Sequence, residues 1–129
     1  MATLTAKDYY RESQVTTSGP GQLLLLVYDG MLRFLAEGRR AMLQKNYEAQ
    51  NNSIKRVQSL LIELLNTLDH SVHPELATNL DRIYRYLYDR LTHANVQDDE
   101  EALLEVARHL SQLREAWKAA DAQWRIGKS

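Results

Sequence analysis

Residues 23–35 read LLLLVYDGMLRFL, and this stretch decides which fold the chain can adopt. On a helix with about 100° per residue, the stretch and its continuation to about Lys45 are apolar on three faces. The central stripe consists of Leu24, Tyr28, Met31, Leu35 and Met42, with Gly38 among them. A second stripe, about 100° away, consists of Leu25, Leu32, Ala36 and Leu43, and the other flank consists of Leu23, Val27, Phe34 and Ala41. A helix so broadly apolar has to be covered on several sides, by neighbouring helices and by an N-terminal segment or a partner.

Capping and turn residues divide the rest of the chain into further helices. Pro20 suits the first turn of a helix, Asn46 suits an N-cap, and the segment from Asp69 to Pro74 contains turn-forming residues. The predicted helices run from Pro20 to about Lys45, from Asn46 to about Leu68, from Pro74 to about Val96, and from a cap at Asp98 or Asp99 to the end of the regular pattern.

Each of the three later helices carries a single apolar stripe at alternating three- and four-residue spacing. The stripes are Ile54, Val57, Leu61, Leu64 and Leu68; Leu80, Tyr84, Leu87, Leu91 and Ala94; and Leu103, Val106, Leu110, Leu113, Trp117, Ala120 and Trp124. Four such helices with short connections predict an all-α fold, an antiparallel four-helix up-down bundle. We expect residues 18–124 to form this bundle, residues 1–17 to form an N-terminal lid segment packed over it, and residues 125–129 to fray.

Composition excludes several classes of protein. The chain has 129 residues, 16 Lys+Arg against 17 Asp+Glu, and no cysteine. Near-neutral charge argues against nucleic acid or an anionic membrane surface as a partner. Without cysteine there is no disulfide, thiolate metal site or cysteine nucleophile. The first residues lack the apolar core of a secretory signal, and Leu23–Tyr28 is far shorter than the ~20 residues of a membrane span, so we expect a cytoplasmic protein with no membrane insertion.

Residue patterns for catalysis or metal binding are weak. Di-metal bundles need a Glu-x-x-His pair, which the chain lacks, and it has no phosphate-binding glycine-rich loop. His70 and His73 flank a turn beside Asp69, a group that fits a polar capping turn better than a metal site because no fourth ligand is evident. Asp89 and His93 are spaced for a surface ion pair. We therefore predict no enzyme activity, no catalytic residue, no metal and no cofactor.

Tyrosine is the informative aromatic residue, with seven copies against one phenylalanine. Tyr84 falls on the core stripe of the third helix, whereas Tyr86 and Tyr88 fall on opposite flanks of it. A tyrosine on a flank can bury its ring and keep its hydroxyl in water. Such residues either complete boundary packing or form the edge of an apolar groove for a partner helix.

Several segments in order resemble the flagellar secretion chaperone FliS family. They are Tyr10, Val15, Thr17 and Pro20; residues 23–35; residues 79–87, NLDRIYRYL; residues 90–95, RLTHAN; and residues 113–117, LREAW. The resemblance runs from about Tyr10 to Ala119 without a large gap. The family often has an acidic residue in the first turn of the first helix, where this chain has Gly21 and Gln22.

This resemblance implies a cytoplasmic, non-enzymatic chaperone. It implies binding to the disordered C-terminal region of flagellin, prevention of premature polymerisation, and delivery to a component of the flagellar export gate. It also implies that an N-terminal segment, here with Tyr10 and Val15, covers apolar surface and is displaced by the client. We add Leu25, Leu32, Tyr86 and Tyr88 as candidate partner-binding residues. A self-associating helical scaffold without a secretory client is the alternative.

Overall fold

Four helices follow one another through residues 20–128, the part of the chain whose backbone the computed structural model describes; side chains are described for residues 21–122. The helices are α1 (Pro20–Leu43), α2 (Tyr47–Thr67), α3 (Pro74–Gln97) and α4 (Glu100–Lys128). Tyr10, Val15 and the predicted lid segment lie outside the described residues. The backbone of α4 continues through residues 125–128, for which we predicted fraying.

Three short connections reverse the chain direction between successive helices. At the first, Asn46 accepts a hydrogen bond from the backbone N–H of Ala49 at 3.2 Å, so the predicted N-cap of α2 is confirmed. At the last, Asp98 ends α3 in the left-handed conformation (φ 51°, ψ 44°) and Asp99 accepts from the N–H of Ala102 at 3.3 Å. Of the two caps that the sequence left open for α4, the structure assigns Asp99.

The helices pack as a four-membered ring. In the described part of the chain, α1 packs against α2 and α4, and α3 packs against the same two neighbours. Their stripes meet in one core, and its buried apolar residues on α2 and α3 are those that the sequence pattern predicts, with Ala77 in addition. Leu68, the last residue of the predicted α2 stripe, is the C-cap of α2 and is only partly buried. The all-α four-helix bundle is therefore confirmed. On α4 the predicted stripe is wrong at Ala120, which is exposed, since the packed part of the described stripe ends with the half-buried Trp117.

Candidate functional site

The flank of α1 that faces α2 is closely packed. A Cβ built on Gly38 would lie 3.4 Å from the Cβ of Ser53 and 3.5 Å from Cγ1 of Ile54. The absence of a side chain at Gly38 therefore lets the two helix backbones approach. Phe34 lies on the same flank, with the guanidinium of Arg56 5.3 Å from its ring centroid. This distance is within the range of a cation–π contact.

The flank of α1 that faces α4 is open. A cavity of about 410 Å³ lies between the two helices, and we call it the α1/α4 groove. Its lining residues are Leu32, Leu35, Ala36, Arg39, Arg40, Leu43, Leu103, Leu104 and Ala107. Leu43 keeps 59% of its surface exposed, and Ala36 is also exposed. The second apolar stripe predicted for α1 is therefore only partly covered in the described structure.

Polar contacts join α1 and α4 on both sides of this groove. On one side Arg39 donates two hydrogen bonds to Oε1 of Glu100, at 2.8 and 2.9 Å. On the other side Nε of Arg114 donates to Oδ1 of Asp29 at 2.5 Å. The groove is thus a gap between two helices that are held together near each of its ends.

A buried hydrogen-bonded group lies next to the second of these contacts. The hydroxyls of Tyr28 and Tyr84 are 2.6 Å apart, and Nε1 of Trp117 donates to the Tyr28 hydroxyl at 3.2 Å. Burial raises the pKa of Tyr84, and the adjacent Tyr28 raises it further. Burial likewise raises the pKa of Tyr28, so both phenols stay protonated at neutral pH. These three hydrogen-bonded side chains therefore link α1, α3 and α4 in the core.

A second groove lies on the other side of α4, against α3. We call this cavity of about 480 Å³ the α3/α4 groove, and it is lined by Arg82, Ile83, Tyr86, His109, Gln112 and Leu113. Beside it, Glu105 accepts hydrogen bonds from the Tyr86 hydroxyl and, at 3.0 Å, from Nε of Arg90. The hydrogen bond from Tyr86 and the charge of Arg90 hold the pKa of Glu105 below its ordinary value. His109 completes the cluster, with its ring edge-to-face against Tyr86.

The predicted partner-binding residues fall in different places. Leu32 lines the α1/α4 groove, and the half-buried Leu25 lies two turns before it on the same flank of α1. Tyr86 lines the α3/α4 groove with 47% of its surface exposed. Tyr88 lies on the α2 side of α3, where it packs against the core and its carbonyl accepts from Gln58. Tyr88 therefore contributes to boundary packing and lines neither groove.

Sequence reasoning missed the residues that α4 contributes to both grooves. Leu104 and Ala107 lie beside the core stripe of α4, and their only sequence signal was apolar character one position away from a stripe residue. Ile83 on α3 was missed for the same reason. The basic rims of the grooves had no signal, since Arg39, Arg40 and Arg82 look like solvated helix residues in the sequence.

His93 and His109 pair with carboxylates, whereas His73 is the N-cap residue of α3 and makes no side-chain capping hydrogen bond. His93 lies 3.1 Å from Oδ2 of Asp99, so the pairing with Asp89 that its spacing suggested is wrong. In the turn after α2, Asp69 accepts from both the N–H and the hydroxyl of Ser71. Among the described residues, no three His, Cys, Asp or Glu side chains are grouped closely enough to hold a metal ion. None of the four described helices is long and apolar enough to cross a membrane.

Known proteins of one family are similar to this chain over most of its length. The family model described as Flagellar protein FliS matches residues 1–124. Flagellar secretion chaperone FliS of Bacillus subtilis is 33% identical over 111 residues, covering 86% of this chain and 82% of the relative. FliSB of Pseudomonas aeruginosa is 34% identical, covering 82% and 84%. FliS of Salmonella typhimurium is 33% identical, covering 83% and 80%.

Proposed function

The chain belongs to the FliS family of flagellar secretion chaperones, and from that membership we propose that it binds the disordered C-terminal region of flagellin in the cytoplasm. Binding would prevent premature polymerisation and assist delivery to a component of the flagellar export gate. The family is one of chaperones and not of enzymes. The proposed role is therefore to cover apolar surface of a client rather than to change it chemically.

The open α1/α4 groove is the observation that carries this proposal. Its floor is formed by leucine and alanine side chains of two helices, and its described charged residues are Arg39 and Arg40. An amphipathic client segment can place its apolar face on such a floor and fold into a helix there. Because ordering a disordered segment costs several kcal/mol, a large contact surface is needed. The α3/α4 groove, on the other side of the same helix, offers additional surface.

Five of the six candidate residues fit this arrangement directly or through the lid. Leu25 and Leu32 would contact the client along α1, and Tyr86 would contact it in the α3/α4 groove. We place Tyr88 behind the binding surface because it packs on the α2 side. Tyr10 and Val15, whose role comes from the family resemblance alone, would compete with the client by covering the same apolar surface.

The first test is co-elution of the full chain with flagellin. We expect a complex with full-length flagellin and none with flagellin that lacks its C-terminal residues. No complex with either form would overturn the proposed function. A stable oligomer of this chain that flagellin does not change would favour the self-associating scaffold instead.

The second test asks whether the α1/α4 groove is the contact surface. Ala36→Glu places a charge on the exposed groove wall, and we expect flagellin affinity to fall at least tenfold, which corresponds to about 1.4 kcal/mol. Ala119→Glu is the matched control, since Ala119 is an exposed alanine of α4 that lines neither groove. Equal affinity of the two variants would remove the groove from the proposal.

A third test concerns the lid. If the lid competes with the client, Tyr10→Ala with Val15→Ala should raise the association rate of flagellin.

A further inference from the structure

The N-terminus of α1 differs from the other three in its charge. The first turns of α2, α3 and α4 contain Glu48, Glu75, and the pair Glu100 and Glu101. The first turn of α1 contains no acidic residue. The free N–H groups at the start of a helix carry partial positive charge, which a nearby carboxylate stabilises. By its own sequence, α1 lacks this stabilisation.

The carboxylate of Asp121, on α4, lies against the first turn of α1, where α1 has no acidic residue of its own. Three atoms of Asp121, its Cβ, Cγ and Oδ1, lie within 3.0 Å of where a Cβ of Gly21 would be. The Asp121 side chain therefore occupies the space that any side chain at residue 21 would need. Asp121 is half-buried and takes part in an interaction in the structure. Its place against the first turn is thus a packed contact between α4 and α1.

We propose that Asp121 acts as the N-terminal charge of α1, supplied by α4 instead of by the helix itself. Gly21 is the other half of this contact, because a side chain at residue 21 would displace the carboxylate from where it lies. The contact between Gly21 and Asp121 lies at the first turn of α1. Together with Asp29–Arg114 and Tyr28–Trp117, it gives this end of the α1/α4 interface a third contact. The α1/α4 groove lies beyond these contacts, towards the C-terminus of α1.

The decisive test is a double-mutant cycle of Gly21 and Asp121, in which the effect of Gly21→Ala on the melting temperature should depend on whether Asp121 is present. Gly21→Ala adds a methyl group where the carboxylate lies, so we expect it to lower the melting temperature, although alanine is the better helix former. In an Asp121→Ala background the space is vacant, and the same Gly21→Ala change should raise the melting temperature or leave it unchanged. The same downward shift in both backgrounds would overturn the proposed contact.

Two further variants separate the contribution that the charge of Asp121 makes to stability from the contribution of its packing. Asp121→Asn keeps the shape and removes the charge, and it should lower the melting temperature by roughly 1–5 °C at low salt and by less at 1 M salt. Gly21→Glu with Asp121→Ala returns an acidic residue to the first turn of α1 and should restore most of the loss seen with Asp121→Ala alone. No loss with Asp121→Asn, or no recovery in the swapped variant, would show that Asp121 is packing only and would reject its role as the N-terminal charge.

Hydrogen exchange shows which part of the bundle loses stability in Asp121→Asn. In Asp121→Asn we expect faster exchange of the amides of residues 24–26, the first that are hydrogen-bonded within α1, and unchanged exchange in the middle of α3. The matched control is Asp89→Asn, which removes an exposed aspartate from α3. Uniform acceleration through the bundle in Asp121→Asn would indicate general destabilisation and contradict a local role. None of these measurements involves flagellin, so the result stands apart from the proposed function.

Discussion

The two flanks of α1 have nearly the same apolar content and opposite packing. Towards α2, Gly38 lets the backbones approach, and the guanidiniums of Arg33 and Arg56 each lie 5.3 Å from the centroid of the Phe34 ring. Towards α4, leucines and alanines line a cavity of about 410 Å³. Apolar content alone therefore does not decide whether a flank is buried. What differs is whether the neighbouring helix can approach, and contacts near the groove ends keep α4 in place without closing the middle.

The largest effect is expected from filling the closed flank. Gly38→Leu would push α2 away from α1 and lower the free energy of unfolding by about 3 kcal/mol, the upper end of ordinary overpacking. The matched control is Ala36→Leu, two residues earlier on the open flank, which should change it by less than about 0.5 kcal/mol. Urea denaturation of both variants measures the difference. Similar losses in the two would mean that the flanks do not differ in packing.

An intermediate loss of stability is expected from breaking the hydrogen bonds of Tyr28, which lie where α1 and α4 are in contact. Tyr28→Phe leaves the buried Tyr84 hydroxyl and the partly buried Trp117 N–H without their shared partner. The free energy of unfolding should fall by about 1–2 kcal/mol. Tyr88→Phe, which removes the hydroxyl of a half-buried tyrosine on the α2 side, serves as control and should cost less. If both cost the same in urea denaturation, the tyrosine pair does not secure this interface.

The smallest effect on stability is expected at Glu105, on the side of α4 that faces α3. Because the pKa of Glu105 is lower in the folded protein than its ordinary value of 4.5, its contribution to stability is complete above about pH 5 and is lost as the pH falls through the folded value. Glu105→Gln should therefore be less stable than the parent at pH 7 and should lose less stability on acidification. Melting temperatures between pH 3 and pH 7 measure this, with Glu115→Gln as control. Parallel curves for the parent and Glu105→Gln would show that the Tyr86–Glu105–Arg90 cluster does not hold α3 to α4.

Most of the helical architecture follows from local rules. Asn46 and Pro74 mark helix starts because one accepts a hydrogen bond from a free N–H and the other lacks an N–H that would need a partner. The core stripes of α2 and α3 were predictable because residues three and four apart share a helix face. The prediction failed at Ala120, since periodicity records which residues share a face but not where the neighbouring helix stops covering it.

The candidate site was less predictable than the fold. Leu32 and Tyr86 were identified from their positions on helix flanks, and the structure places both in grooves. Tyr88 has the same local pattern but turns towards α2, a difference that only the positions of the neighbouring helices produce. Leu104 and Ala107 acquire their place in the groove through the separation between α1 and α4, which is not encoded in any short segment.

The sequence by itself determined four amphipathic helices, the N-cap of α2 at Asn46 and a first helix with more apolar surface than one core stripe needs. Those properties depend on hydrogen bonds and side-chain spacing within a few residues. Only the tertiary structure decided which flank of α1 is covered, which tyrosines share a buried hydrogen bond, and that Asp121 reaches the first turn of α1. The physical reason is that each of these depends on distances between helices far apart in the chain, which the packing of the whole bundle sets.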